Sequence, residues 1–157
     1  MARPSGLVTM DIALVSASNT ENQNGINSCT AKLSQLQDRI DELGGKKAIL
    51  ESTYSIYTDL KSYIEGHLAS LEDTSVCITE IKTEATEQIG SKIDVAIKAL
   101  EDLIGRIKTA LTNANSDYNT TYGQLQTYQT KLANGQQRLG TLQTELEQAK
   151  AAELPVM

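Results

Sequence analysis

A single histidine, His67, stands between Gly66 and Leu68, and any chemistry that needs imidazole has to use it. As a metal ligand it lacks company: no Cys or second His lies three or four residues away, so a zinc-type site fails on ligand count. As a general base it would have to serve a serine that has no elbow motif around it, which leaves hydrolase chemistry without support. Carboxylates are the next candidates. Glu80 with Glu84, and Glu84 with Glu87, fall at helical spacing, and acids so placed serve metal or acid–base roles in helical proteins when Glu-x-x-His units accompany them. No such unit exists in this chain, so these read as surface acids. No glycine-rich phosphate loop follows a strand, and no strand is evident. The chain therefore reads as a non-enzyme that needs no metal and no cofactor.

The elements that would position these residues are legible from one pattern. Ile26, Cys29, Leu33, Leu36, Ile40, Leu43, Lys47, Leu50, Tyr54, Tyr57, Lys61, Ile64, Leu68 and Leu71 follow an unbroken 3-4 spacing, and only the two lysines are not apolar. At 39% apolar residues overall, chance fills about five or six of these sites, so the pattern predicts a long amphipathic helix whose seam meets other helices. A second seam of equal length runs from Ile104 to Ala149, departing only at Thr121 and Gly135. Between them, Ile78, Ile81, Ala85, Ile89, Ile93, Ala96, Ile97 and Leu100 keep a helical period with repeated steps of four, which predicts a straighter or locally unwound stretch.

Breaks come from residues that compete with the helix backbone. Glu72-Asp73-Thr74-Ser75 ends the first seam and offers Thr74 or Ser75 as a cap for the next helix. Thr112-Asn113-Ala114-Asn115-Ser116-Asp117 predicts a second turn, although the seam keeps its phase through it. Gly44-Gly45 invites a break too, but Leu43 and Leu50 stay seven apart across it, which favours a continuous helix over a hairpin. The predicted fold is all-α: an elongated antiparallel helical bundle with coiled-coil-like heptad packing, its helices at about 20–72, 77–113 and 117–151. Residues 1–19 form a flexible lead-in or a short accessory segment, and 152–157 a disordered tail. On this layout the first helix overhangs the other two and leaves Ile26, Cys29 and Leu33 uncovered as a partner interface. Tyr63 and Tyr122, off the seams, are further contact candidates.

Composition narrows the partners. The net charge is −6, and all the excess acid lies in residues 65–102. A nucleic-acid partner is excluded, because Lys46-Lys47 and Arg106 with Lys108 make too small a basic face for phosphate. Asp11 interrupts the moderately apolar run from Leu7 to Val15, which argues against a cleavable export signal, and no run reaches the length of a membrane span. The expected location is cytoplasmic, or secreted without a cleavable signal. Cys29 falls on the seam as a buried thiol; Cys77, past the turn, would lie about 60 Å from it, too far for a disulfide.

A long first helix, a turn at Asp73 to Val76, and a helical return ending in the Gln- and Leu-rich stretch with Leu139, Leu142 and Leu146 resemble the small helical proteins of Gram-positive type VII secretion loci. These are the WXG-type superfamily and the helical partners of LXG toxins. The chain has no Trp and its turn no Gly, so no residue role is carried over. The resemblance implies a leaderless, non-enzymatic protein that pairs with a larger toxin or another small helical protein. Two alternatives stand beside this partner or adaptor role: a self-assembling structural coiled-coil protein of a phage, surface layer or filament, and a helical carrier of lipid or small ligands. The partners expected are thus a helical or basic protein, a second copy of the chain, or both.

Overall fold

Pro4 sets the start of the first helix. Its ring fixes the backbone angle a helix needs, its missing N–H is no loss at a helix start, and its carbonyl accepts from the amides of Leu7 (3.1 Å) and Val8 (3.3 Å). In the computed structural model, which describes residues 3–72 and 74–153, helix α1 runs Ser5–Ser70. Helix α2 (Val76–Gln88), a π-helical turn (Ile89–Asp94) and helix α3 (Val95–Glu153) follow. Every element is helical, and no strand occurs among the described residues.

The break predicted at 72–75 is present. Ser75 is extended and its Oγ accepts the Ile78 amide at 3.4 Å, capping α2. Lys82 Nζ donates to the carbonyl of Leu71 (3.1 Å), one of the orphan acceptors at the end of α1. Gly44 and Gly45 lie within α1 without a break.

Three expectations need correction. Residues 5–19 are not a flexible lead-in but the first turns of α1. Val8, Ile12 and Val15 carry the seam phase back from Ile26 through Asn19 and Asn22, and Val8 is fully buried. Residues 112–117 do not turn but lie inside α3. Their polar side chains bond along the helix instead of against it: Thr112 Oγ1 donates to the Lys108 carbonyl (3.0 Å) and Asn115 Nδ2 to that of Leu111 (2.9 Å). There is accordingly no separate third helix at 117–151. Of the expected tail, Ala152 and Glu153 belong to α3, and 154–157 lie outside the described residues.

The π-helical turn has a cause in the spacing. From Ile78 to Leu100 the seam advances 22 residues in six steps, where a strict 3-4 alternation advances 21. A π turn takes up one extra residue, so Ile97, Leu100 and Ile104 remain on the inward side after it.

The chain forms two units: Met1–Gln37 with Ser116–Met157, and Asp38–Asn115. In the first, segments of α1 and α3 run in opposite directions. Ser5 meets Glu153, Asn19 meets Gly135, and Gly25 meets Tyr128. Val8, Cys29, Leu142 and Ala149 are buried there, with Asn22 and Thr121 as buried polar residues. In the second unit Tyr54 meets Glu101 and Lys61 meets Asp94, again in opposite directions, around buried Leu43, Ile89, Ile104 and Ala114.

Glu153 also closes the start of α1. Its carboxylate accepts the Ser5 amide (2.8 Å) and the Ser5 hydroxyl (2.7 Å), placing negative charge at a helix N-terminus. The amide bond, then the hydroxyl bond, hold the Glu153 carboxyl below its ordinary value. A depressed folded-state value stabilises above the unfolded carboxylate range and is lost as pH falls through the folded value. Acidification from about pH 6 to about pH 3 is therefore expected to fray the first turn, read as a shift of the Ser5 amide resonance. Glu153→Gln is expected to flatten that dependence.

Candidate interaction surface

Of the five residues expected to face a partner, three face inward. Cys29 is buried, and Ile26 and Leu33 are half-buried on the seam of the first unit. The overhang that would have exposed them required a turn at 112–117. Because α3 continues, its later turns cover this part of α1, with the Tyr128 ring lying over Gly25. Tyr63 and Tyr122 are exposed as expected and belong to different units.

No group of His, Cys, Asp and Glu suited to a metal ion occurs among the described residues. His67 is engaged locally: Nδ1–H donates to the Tyr63 carbonyl (2.9 Å), and its ring lies 4.2 Å from that of Tyr63, centroid to centroid. Both cysteines are free thiols, Cys77 exposed. An open groove of about 450 Å³ runs between the two segments of the first unit, past Cys29, Lys32, Tyr128 and Lys131. No helix among the described residues is long and apolar enough to cross a membrane.

The second unit has two unlike flanks. On one, polar pairs bridge its segments: Tyr54 to Glu101 (3.1 Å), Lys108 to Glu51 (3.9 Å) and Lys61 to Asp94 (2.7 Å), with Lys47 to Glu51 (3.5 Å) and Lys61 to Glu65 (3.8 Å) along α1. Lys47 and Lys61 occupy seam positions, and each carries its ammonium group out to this rim, where exposed pairs add little stability. The bond to Asp94 raises the Lys61 ammonium above its ordinary value, and the bond to Glu101 raises the Tyr54 phenol.

The opposite flank is apolar. At about 100° per residue, Thr53 and Leu60 lie across the α1 axis from Glu51, and Ala96, Leu103 and Ala110 lie across the α3 axis from Glu101 and Lys108. Beyond Leu60 the outer surface of α1 carries Ile49, Ile56 and Tyr63, exposed by 67%, 62% and 65%, while Leu60 itself is 44% exposed. From Ala48 to Ser70 the charged residues are Glu51, Asp59, Lys61 and Glu65, and all but Asp59 stand on the polar flank. A solvated helix face is ordinarily studded with charge. This one presents Ile, Leu and Tyr among Ala, Ser and Gly. In the first unit, Leu7, Met10 and Leu14 form a shorter exposed stripe at the start of α1.

Sequence reading missed Ile49, Ile56, Leu60, Leu7, Met10 and Leu14 because it followed only the dominant seam. The signal was present as a second 3-4 series, 49-53-56-60-63, in a stretch poor in charge. Compared with known proteins, the chain matches no protein-family model, no curated protein and no solved structure.

Proposed function

We propose that this chain is a non-enzymatic protein–protein interaction module, a helical partner or adaptor that docks helices of another chain. One observation carries the reading: apolar side chains at helical spacing stand in solvent on α1 in each unit, Leu7, Met10 and Leu14 in the first and Ile49, Ile56, Leu60 and Tyr63 in the second. Large exposed apolar patches on soluble helices mark interaction sites, and a helix presenting such a face is read by packing against another helix. The finer architecture belongs to the same proposal. The segments of each unit pack as an antiparallel coiled-coil-like bundle, a view supported by burial or half-burial at every third or fourth residue from Val8 to Leu68. A secreted or toxin protein of type VII-like loci is the partner class suggested by the resemblance of the helix order.

Co-expression with the products of neighbouring genes tests the reading, with complex mass measured by light scattering. A stable 1:1 complex weakened by Leu14→Glu or Ile56→Glu is the expected result. If no such product binds, or if binding ignores both substitutions, the adaptor reading fails.

A further inference from the structure

Independently of the exposed stripes, we infer that the groove between the two segments of the first unit binds an elongated organic anion with an apolar body, held between Lys32 and Lys131. The groove has a cause in residue size. Gly25, Ser28 and Cys29 occupy neighbouring turns of α1 and are all small, which leaves a channel of about 450 Å³ against Tyr128 of α3. That volume falls within the roughly 300–1,000 Å³ of small-molecule sites. The buried Cys29 thiol and the Tyr128 ring, which lies over Gly25, give the channel an apolar wall. Ser28 and Gln124 add hydrogen-bond donors along it.

Charge selects the occupant. Between Glu21 and Asp38 of α1 the only charged residue is Lys32, and between Asp117 and Arg138 of α3 it is Lys131. Both line this groove, and no carboxylate does. Grooves of the second unit differ: one holds Glu65 and Asp94, which pair with Lys61, and another holds Glu51 and Glu101, with Lys108 paired to Glu51. Lys32 and Lys131 have no ion-pair partner, and Glu21 and Asp117, the acids of this unit that bound these stretches, pair with neither. A chain of net charge −6 thus sets two uncompensated cations on one acid-free groove, a local attraction for anions. The lysines stand at opposite ends. Lys32 lies seven residues past Gly25, and Lys131 three past Tyr128 on a segment running the other way. About 15 Å of helix rise therefore separates their backbones. Ammonium groups at the ends and an apolar wall between them suit a long body ending in an acidic group better than a compact ion.

Fluorescence titration of the full chain with anilinonaphthalene sulfonate tests the assignment, with phenylnaphthylamine, the same rings without the sulfonate, as the neutral control. Saturable binding of one sulfonate per chain is expected. Lys32→Ala and Lys131→Ala together, both at exposed positions, are expected to weaken it about ten-fold or more and to leave the neutral compound's affinity unchanged. Ser28→Trp, which fills the channel, is expected to abolish sulfonate binding, with helicity by circular dichroism unaltered in every variant. Leu14→Glu and Ile56→Glu, on the exposed stripes, are expected to change nothing. Dodecanoate is expected to displace the dye, and inorganic phosphate at the same concentration to leave it bound. Absence of saturable binding, indifference to the lysine pair, or loss through Leu14→Glu or Ile56→Glu in place of Ser28→Trp would each overturn the site. Displacement by phosphate as effective as by dodecanoate would overturn the elongated ligand. The adaptor reading is judged separately, because its stripes lie outside this groove.

Discussion

Leu142→Ala is expected to lower the unfolding free energy by about 2–5 kcal/mol, a large fraction of the roughly 5–15 kcal/mol that domains of this size possess. Leu142 is one of few large aliphatic side chains almost wholly withdrawn from water, and the chain has no Phe or Trp to share the load. Truncation forfeits the transfer energy of the lost methyl groups and leaves a void that neighbours on a thin seam fill only by shifting helices. The size of the effect should follow burial. Leu139, half-buried one step along the same seam, should cost less on truncation, and Leu14→Ala, in solvent, should cost close to nothing. Equilibrium urea unfolding followed at 222 nm checks the order. Equal losses at all three positions would contradict the burial pattern on which the fold description rests.

The seam was legible from Ile26 to Leu68 because thirteen positions repeat one rule and the helix needs no further information to hide them; Leu71, past the end of α1, is exposed. The break at 72–75 was legible because its residues prefer caps and Ser75 has no competing role. The stretch 112–117 misled because propensity and phase disagreed there. Propensity is the weaker term: threonine and asparagine side chains find acceptors four residues back inside the helix, and the apolar phase then decides. The first nineteen residues misled for a related reason. Asn19 and Asn22 sit on the seam, so an apolar search lost the phase that Val8, Ile12 and Val15 resume.

Both misreadings fed the expected interface. With a turn at 112–117, Ile26, Cys29 and Leu33 would have had no cover. With α3 unbroken they do, and the uncovered apolar surface falls elsewhere. Tyr63 was found because it lies off the seam, yet its companions Ile49 and Ile56 escaped notice, being scattered apolar residues until the flanks of the unit are known. That knowledge needs the pairing of Tyr54 with Glu101 and of Glu51 with Lys108, which no residue spacing supplies.

Gly25 and Tyr128 offer the sharpest test of close packing in the first unit. A methyl group at residue 25 would stand 2.7 Å from Cε1 and 2.8 Å from Cδ1 and Cζ of the Tyr128 ring, closer than carbon atoms tolerate. Gly25→Ala must therefore expel the ring or push the segments apart, and is expected to destabilise by about 1–3 kcal/mol despite alanine's better helix propensity. In a Tyr128→Ala background the obstacle is gone. There the same substitution is expected to stabilise by about 0.5–1 kcal/mol, because only the backbone term remains. Gly44→Ala, which meets nothing within 4 Å, should show that gain in the unaltered chain. Such a reversal of sign between backgrounds is a direct coupling between the two residues, measurable in a double-mutant cycle by urea unfolding. If Gly25→Ala stabilises in both backgrounds, the ring does not lie over the glycine, and the antiparallel register that brings residues 25 and 128 together is wrong.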